Sequence, residues 1–216
     1  MSGLRVVRHT CPKCGAPLAA DRQDIVYFCT ACRSGCRLTA GQNGEETLAE
    51  VEVRFVAAAN VQAAAYLPFW LLPARVTIKQ RQTAGGSANG LVRFFSGEGA
   101  ESGGGSGDQA FAIPAFDGPL PQLVQLAERY TAALPKLGEK LGEKLVGGRL
   151  DPADAEKLAH FVLIASEAEK PDTLQNLDYS IQFGTPWLLG VPFVARGEAL
   201  ADAFFGLVVE REPATR

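Results

Sequence analysis

The sequence predicts an α+β fold: a small cysteine-bearing N-terminal module, then a mainly antiparallel sheet with two or three inserted helices. Three observations predict it. Four cysteines stand as two close pairs within the first 32 residues. Apolar runs with period-two alternation, punctuated by Gly and Pro, occur both early and late in the chain. Between them, residues 119–165 carry apolar side chains at three- and four-residue spacing, the period of a helix with one buried face. The chain has 216 residues, 47% hydrophobic and 21% charged, which is a globular composition with enough length for one substantial core. The turn-rich Gly41-Gln42-Asn43-Gly44 is the expected boundary, giving residues 1–44 as module and linker and 45–216 as the larger domain.

The module is read from its cysteines. Two residues separate Cys11 from Cys14, two separate Cys29 from Cys32, and fourteen lie between the pairs. Two intervening residues let a tight turn aim both thiolates at one point, and Gly15 suits the left-handed backbone such a turn often needs. The fourteen-residue gap is long enough for an out-and-back hairpin that brings the pairs together. Four thiolates gathered this way make a closed tetrahedral site, the structural kind, with no open position for substrate. Over roughly residues 9–40 the sequence resembles the zinc ribbon family. The resemblance implies one structural Zn2+ held by Cys11, Cys14, Cys29 and Cys32, and no particular activity, because zinc ribbons serve nucleic acids, proteins and stability alike. A rubredoxin-type iron site has the same ligand set, and two disulfides are the other alternative, disfavoured in a reducing cytosol. So small a module depends on its metal for folding, and metal removal is expected to unfold residues 9–40 and spare the rest. Cys36 reads as a small buried apolar residue, with a spare ligand or reactive thiol as the alternative, and His9 as a neighbour of the site rather than a ligand.

Charge excludes little and suggests little. The net charge is −3, with six basic residues against two acidic ones in residues 1–40, a balance of +4 that leaves −7 for the remainder. Four thiolates on one dication lower the module to about +2, a weak footprint for nucleic acid. Arg22, Tyr27, Phe28, Arg33 and Arg37 are nevertheless its candidate nucleic-acid contacts, with hairpin packing as the alternative for the two rings. Twenty uncharged residues between Arg54 and Arg75 raise the question of a membrane span, but Asn60, Gln62, Pro68 and Pro73 argue for a buried segment or interface. No signal-peptide pattern is present, and a cytoplasmic location is expected.

Past the boundary, residues 50–55 alternate charged and apolar side chains as a half-buried strand does. Residues 64–82 read as a strand pair or one long bent strand, with Pro68 and Pro73 marking edges, bulges or turns. Residues 84–108 form a glycine-rich segment broken by a short apolar strand at 91–95, and 97–108 reads as a flexible loop. It lacks the Lys-Ser/Thr of a phosphate loop, so no nucleotide is expected. A strand over 110–116 feeds a helix over 119–134 that buries Leu123, Leu126 and Tyr130. The repeat KLGEKLGEKL predicts a further helical stripe of Leu137, Leu141 and Leu145, ended by Gly147-Gly148. Asp151 as N-cap, Pro152 and Asp154 open the next helix, whose buried face is Ala155, Leu158, Val162 and Ala165, with His160 as a hydrogen-bonded structural residue. Strands follow at 177–183, 187–195 with a bulge at Gly190 or Pro192, and 201–209. A ribbon followed by a YLPFW strand is similar to uncharacterised bacterial zinc-ribbon proteins, a resemblance that implies no activity.

Catalytic patterns are absent from the sequence: two distant histidines, no G-x-S-x-G, no H-E-x-x-H, no S-x-x-K and no Walker lysine. The leading expectation is an adaptor or scaffold working through protein partners or self-association, with Phe69, Trp70, Trp187, Leu137, Leu141 and Leu145 as candidate interface residues. Nucleic-acid binding through the ribbon is the alternative, and an enzyme of unidentified class in the larger domain the second alternative.

Overall fold

The computed structural model describes residues 9–19, 21, 23–40, 46–57, 61–84, 105–138, 145–170 and 173–210. The expected linker at 41–44, the strand at 91–95, Arg22 and Leu141 lie outside them. In chain order the strands are β1 (Val26–Phe28), β2 (Gly35–Ala40), β3 (Glu46–Val51), β4 (Val53–Val56), β5 (Ala65–Ala84) and β6 (Gly105–Pro114). Helix α1 (Leu120–Ala132), β7 (Leu137–Gly138) and helix α2 (Pro152–Ala168) come next. The chain closes with β8 (Thr173–Phe183), β9 (Trp187–Arg196), β10 (Ala199–Asp202) and β11 (Val208–Val209). β1, β2 and β3 make a three-stranded sheet and the remaining strands an eight-stranded one. The larger sheet is antiparallel apart from β4 beside β9. With its two helices among the described residues, the chain is a mainly antiparallel α+β protein.

Residues 64–82 resolve as one long strand, β5, which lies inside the sheet rather than at its edge. One side of β5 pairs with β9 and then β8, and the other with β6. Its prolines are tolerated because each falls where a ladder lapses and no amide donor is needed. Pro68 lies one residue beyond the end of the β6 pairing, and Pro73 falls between the β9 and β8 pairings. Pro192 of β9 likewise falls between the registers of β4 and β10. The bulge expected at Gly190 or Pro192 is instead at 184–186: β5 advances three residues from Leu71 to Ala74 while its partners retreat four, from Trp187 to Phe183. Gly190 serves another purpose, since a Cβ there would sit 2.4 Å from Cδ1 of Phe55.

Alternation along β5 divides the core. Trp70, Leu72, Ala74 and Val76 join Phe111 and Ile113 of β6 and the buried face of α2 (Ala155, Ala159, Val162, Leu163). Leu67, Phe69 and Leu71 point the other way, to Leu126 and Tyr130 of α1 and to Leu189, Val191 and Phe193. The indole of Trp70 donates to the Leu150 carbonyl at 2.7 Å, so its one polar atom is satisfied in the apolar interior. α1 meets the side of β6 that faces away from β5, where the Ala112 amide donates to the Thr131 hydroxyl at 3.0 Å. α2 begins as its sequence predicts, the Asp151 carboxylate accepting the Asp154 amide at 2.8 Å. His160 is hydrogen-bonded, to the Tyr179 hydroxyl at 3.0 Å.

Four further expectations are corrected. Residues 50–55 are two strands broken at Glu52: β3 belongs with β2, while the Glu52 carbonyl accepts the Leu188 amide as β4 enters the large sheet. Gly105 to Asp108 are not loop but the paired start of β6, opposite Arg75 to Ile78. Leu137 and Leu145 share no helix: Leu137 pairs with Val56 in β7, and Leu145 forms a parallel bridge to Tyr66. Glycine at every fourth position costs a helix about 1 kcal/mol each, and Gly138 fits against the Ala57 backbone, where a Cβ would approach Cα to 3.1 Å. The strand expected over 201–209 is two short strands around a turn. There the amides of Phe204 and Phe205 donate to Oδ1 of Asp202 and that of Leu207 to Oδ2.

Asp202 is 2% exposed and also accepts the Tyr130 hydroxyl at 2.9 Å. Burial, reinforced by the Asp202 charge, pushes the Tyr130 phenol well above its ordinary range and keeps it a donor. Asp202→Ala is therefore expected to lower unfolding stability by about 2–4 kcal/mol, read from urea denaturation, because three amides and a buried phenol lose one shared acceptor. A loss under 1 kcal/mol would show that water replaces the carboxylate.

Candidate metal centre

The four paired cysteines come from two turns of the same design. In the first, the Cys11 amide donates to the Ala16 carbonyl and the Gly15 amide to the Cys11 carbonyl, both at 2.8 Å. In the second, the Cys29 amide donates to the Ser34 carbonyl at 2.9 Å and the Arg33 amide to the Cys29 carbonyl at 2.7 Å. The fifth residue of each turn is left-handed: Gly15 at φ 74° and Arg33 at φ 59°. The sequence places glycine at the first of these positions and an arginine, which carries the strain of a Cβ, at the second. β1 and β2 then fold back on each other, with Tyr27 opposite Cys36, and hold the turns together.

The sulfurs of Cys11, Cys14, Cys29 and Cys32 all lie within 4.8 Å of one another, close enough to hold one metal ion. Cys11 and Cys32 sulfurs are 3.5 Å apart, Cys14 and Cys29 sulfurs 3.6 Å. Tetrahedral metal–sulfur bonds of about 2.3 Å require separations of about 3.8 Å, which these two pairs approach. Four thiolates are also the set that suits zinc or iron. Cys11 and Cys29 are buried, Cys32 is half-buried and Cys14 exposed. Burial opposes ionisation of Cys11, but the amides of Cys14 and Lys13 and the Ser34 hydroxyl bring its thiol down to about 6. Cys36 is fully buried beside Cys11, Tyr27 and Cys29, and burial, with neighbouring thiolates, pushes its thiol up to about 12, as suits a core residue. His9 lies outside the donor set with its ring 5.1 Å from that of Tyr27.

Around the centre, the structure separates the other candidate residues. Tyr27 and Phe28 are buried, Tyr27 donating to the Asp24 carbonyl and Phe28 packing on Phe55 and Leu145, so neither ring is open for stacking on bases. Arg33 is exposed and Arg37 half-buried. Phe69, Trp70 and Leu145 are inside the chain rather than on its surface, whereas Leu137 is exposed. Trp187 is half-buried, with the Arg54 guanidinium 4.8 Å above its ring. Sequence reasoning missed Ser34, whose hydroxyl lies 2.9 Å from the Cys32 sulfur and 3.6 Å from that of Cys11. The only signal was a small hydroxyl residue two positions past Cys32.

Two concavities are lined by described residues of the larger domain and its border with the module. One of about 540 Å³ is lined by Val61, Val194, Arg196 and the 201–206 turn. The other, of about 260 Å³, lies between Asp24, Phe116, Asp117, Arg149 and Val209, where Arg149 pairs with Asp117 and approaches Asp24. Compared with known proteins, the chain matches no family model, no curated protein and no solved structure.

The cysteine module is also fastened to the large sheet. Val26 and Val51 belong to the core that holds Trp70 and α2, and the amides of Ile25 and Val26 both donate to the Gly148 carbonyl. Losing the metal should therefore reach beyond residues 9–40, contrary to the sequence expectation. A chelator is expected to lower the melting temperature of the α2 and large-sheet signal by several degrees, and an unchanged midpoint would mean the two parts melt independently. The turns give a paired prediction of opposite sign. Gly15→Ala should cost the metal-loaded chain about 1 kcal/mol, and Arg33→Gly should add up to about 1 kcal/mol, both measured by thermal unfolding. A Cβ at Gly15 meets nothing within 4 Å, so only backbone strain is tested there.

Proposed function

We propose that the four sulfurs hold one structural zinc ion in a zinc-ribbon module, and that the chain acts as an adaptor or scaffold through protein partners or self-association. The observation that carries the reading is the closed donor set. Four protein sulfurs fill a tetrahedral ion, leaving no position for a water or substrate to be activated. Support for a docking role comes from the helices, where Phe161 is 65% exposed and Ile164, one turn on, 40% exposed. Leu120 on α1 is 63% exposed. Adjacent large apolar side chains in water are a standing reason for association. A cytoplasmic setting, reducing enough to keep thiolates, goes with this reading. Among the described residues no helix is long and apolar enough to cross a membrane.

Nucleic-acid binding is the second reading, and the exposed guanidinium of Arg33 is what favours it. With Tyr27 and Phe28 buried, it would rest on phosphate contacts and weaken steeply with salt.

Native mass spectrometry of protein purified from its own cells tests the main reading. One zinc per chain is expected, in an assembly heavier than the 22.9 kDa chain, with Phe161→Glu/Ile164→Glu returning the lone chain. A zinc-loaded chain that stays solitary at every concentration and carries no partner would count against the adaptor role while leaving the metal assignment standing.

A further inference from the structure

The two cysteine turns repeat each other's backbone hydrogen bonds but carry different side chains at the residue that closes them. The residue whose carbonyl closes the turn is Ala16 in the first and Ser34 in the second. Alanine therefore suffices for the backbone role, and the hydroxyl of Ser34 needs another account. It is 6% exposed, and its hydrogen-bonding neighbours are the sulfurs of Cys32 and Cys11, one from each turn. A metal-bound thiolate has no proton to give, so with an ion in place the hydroxyl must be the donor. It has one hydrogen, and Cys32 at 2.9 Å is its nearer acceptor, with Cys11 at 3.6 Å the farther.

We propose that Ser34 is a positioning residue of the metal centre, donating its hydroxyl hydrogen to the Cys32 thiolate and, at longer range, to Cys11. The assignment rests on the metal reading above. Donation to a thiolate favours the charged, metal-loaded form over the protonated empty one and fixes the direction of the Cys32 sulfur. Groups that support metal ligands in this way are typically worth about 10–100-fold in metal affinity. Cys14, which is exposed, is met instead by the backbone amide of Ala16.

The test is Co2+ titration of the full chain, read by the sulfur-to-cobalt charge-transfer band and by competition with a chelator. Ser34→Ala should keep the far-ultraviolet circular dichroism of the parent, since Ala16 does the same backbone work. It should bind Co2+ at least fivefold more weakly and move the charge-transfer band to lower energy, because the thiolate loses a hydrogen bond that held its electrons. Ser34→Thr and Ser34→Val, nearly equal in shape, isolate the hydroxyl should the alanine variant not fold: threonine should bind at least fivefold better than valine. An affinity ratio below fivefold, or a band that does not move, overturns the assignment. A parent chain that shows no charge-transfer band at all would overturn the metal centre, and the role of Ser34 with it.

Discussion

The structure depends on a single strand that must satisfy neighbours on both sides while dividing the core between two faces. β5 pairs with three strands along its twenty residues, β6, β8 and β9. Trp70, Leu72, Ala74 and Val76 go to the α2 side, and Leu67, Phe69 and Leu71 to the α1 side. Because the side-chain period of a strand is two, one added residue in a partner exchanges that partner's faces. The extra residue at 184–186 does this. Tyr179, Ile181 and Phe183 face the α2 side, and after the bulge Leu189, Val191 and Phe193, still odd-numbered, face the α1 side. Without that step the apolar residues of β8 and β9 could not both be buried.

How much of this was legible follows from which signals are local. The α2 start was readable because an N-cap, a proline at the first helical position and an apolar stripe coincide within one segment. The cysteine turns were readable because metal ligation fixes residue type and spacing together. The Pro-rich run 65–73 misled because whether a proline weakens a strand depends on where the neighbouring strand stops, a fact held by other segments. The Leu137/Leu145 stripe misled for the same reason: leucine at fourfold spacing matched a helix, while Gly138 answers to the Ala57 backbone and the sheet. Trp70 and Trp187, each followed by two leucines, lie on neighbouring strands. Trp70 stands opposite Leu188, and Trp187 opposite Leu71.

At the candidate metal centre the sequence supplied the four cysteines but not their surroundings. Ser34 and the left-handed Arg33 follow from how the second turn closes, and no spacing rule encodes that. The same holds for the seam between the module and the large sheet. β1 contributes Val26 to the α2 core and Phe28 to a cluster with Phe55, so the module is held by apolar burial as well as by its sulfurs. Alternate residues of one three-residue strand thus serve different cores, with Tyr27 left to line the cysteines.

One consequence of the topology concerns β8. It pairs with β5 alone, so among the described residues its eleven-residue length has no strand on the far side. A row of amides and carbonyls facing water is a template on which another extended chain can grow. The protection against that is slight: a single carboxylate, Asp178, set against Lys79 of β5, stands in an otherwise uncharged run. Asp178 is thus the one charge that β8 itself sets against growth of another chain along that rim.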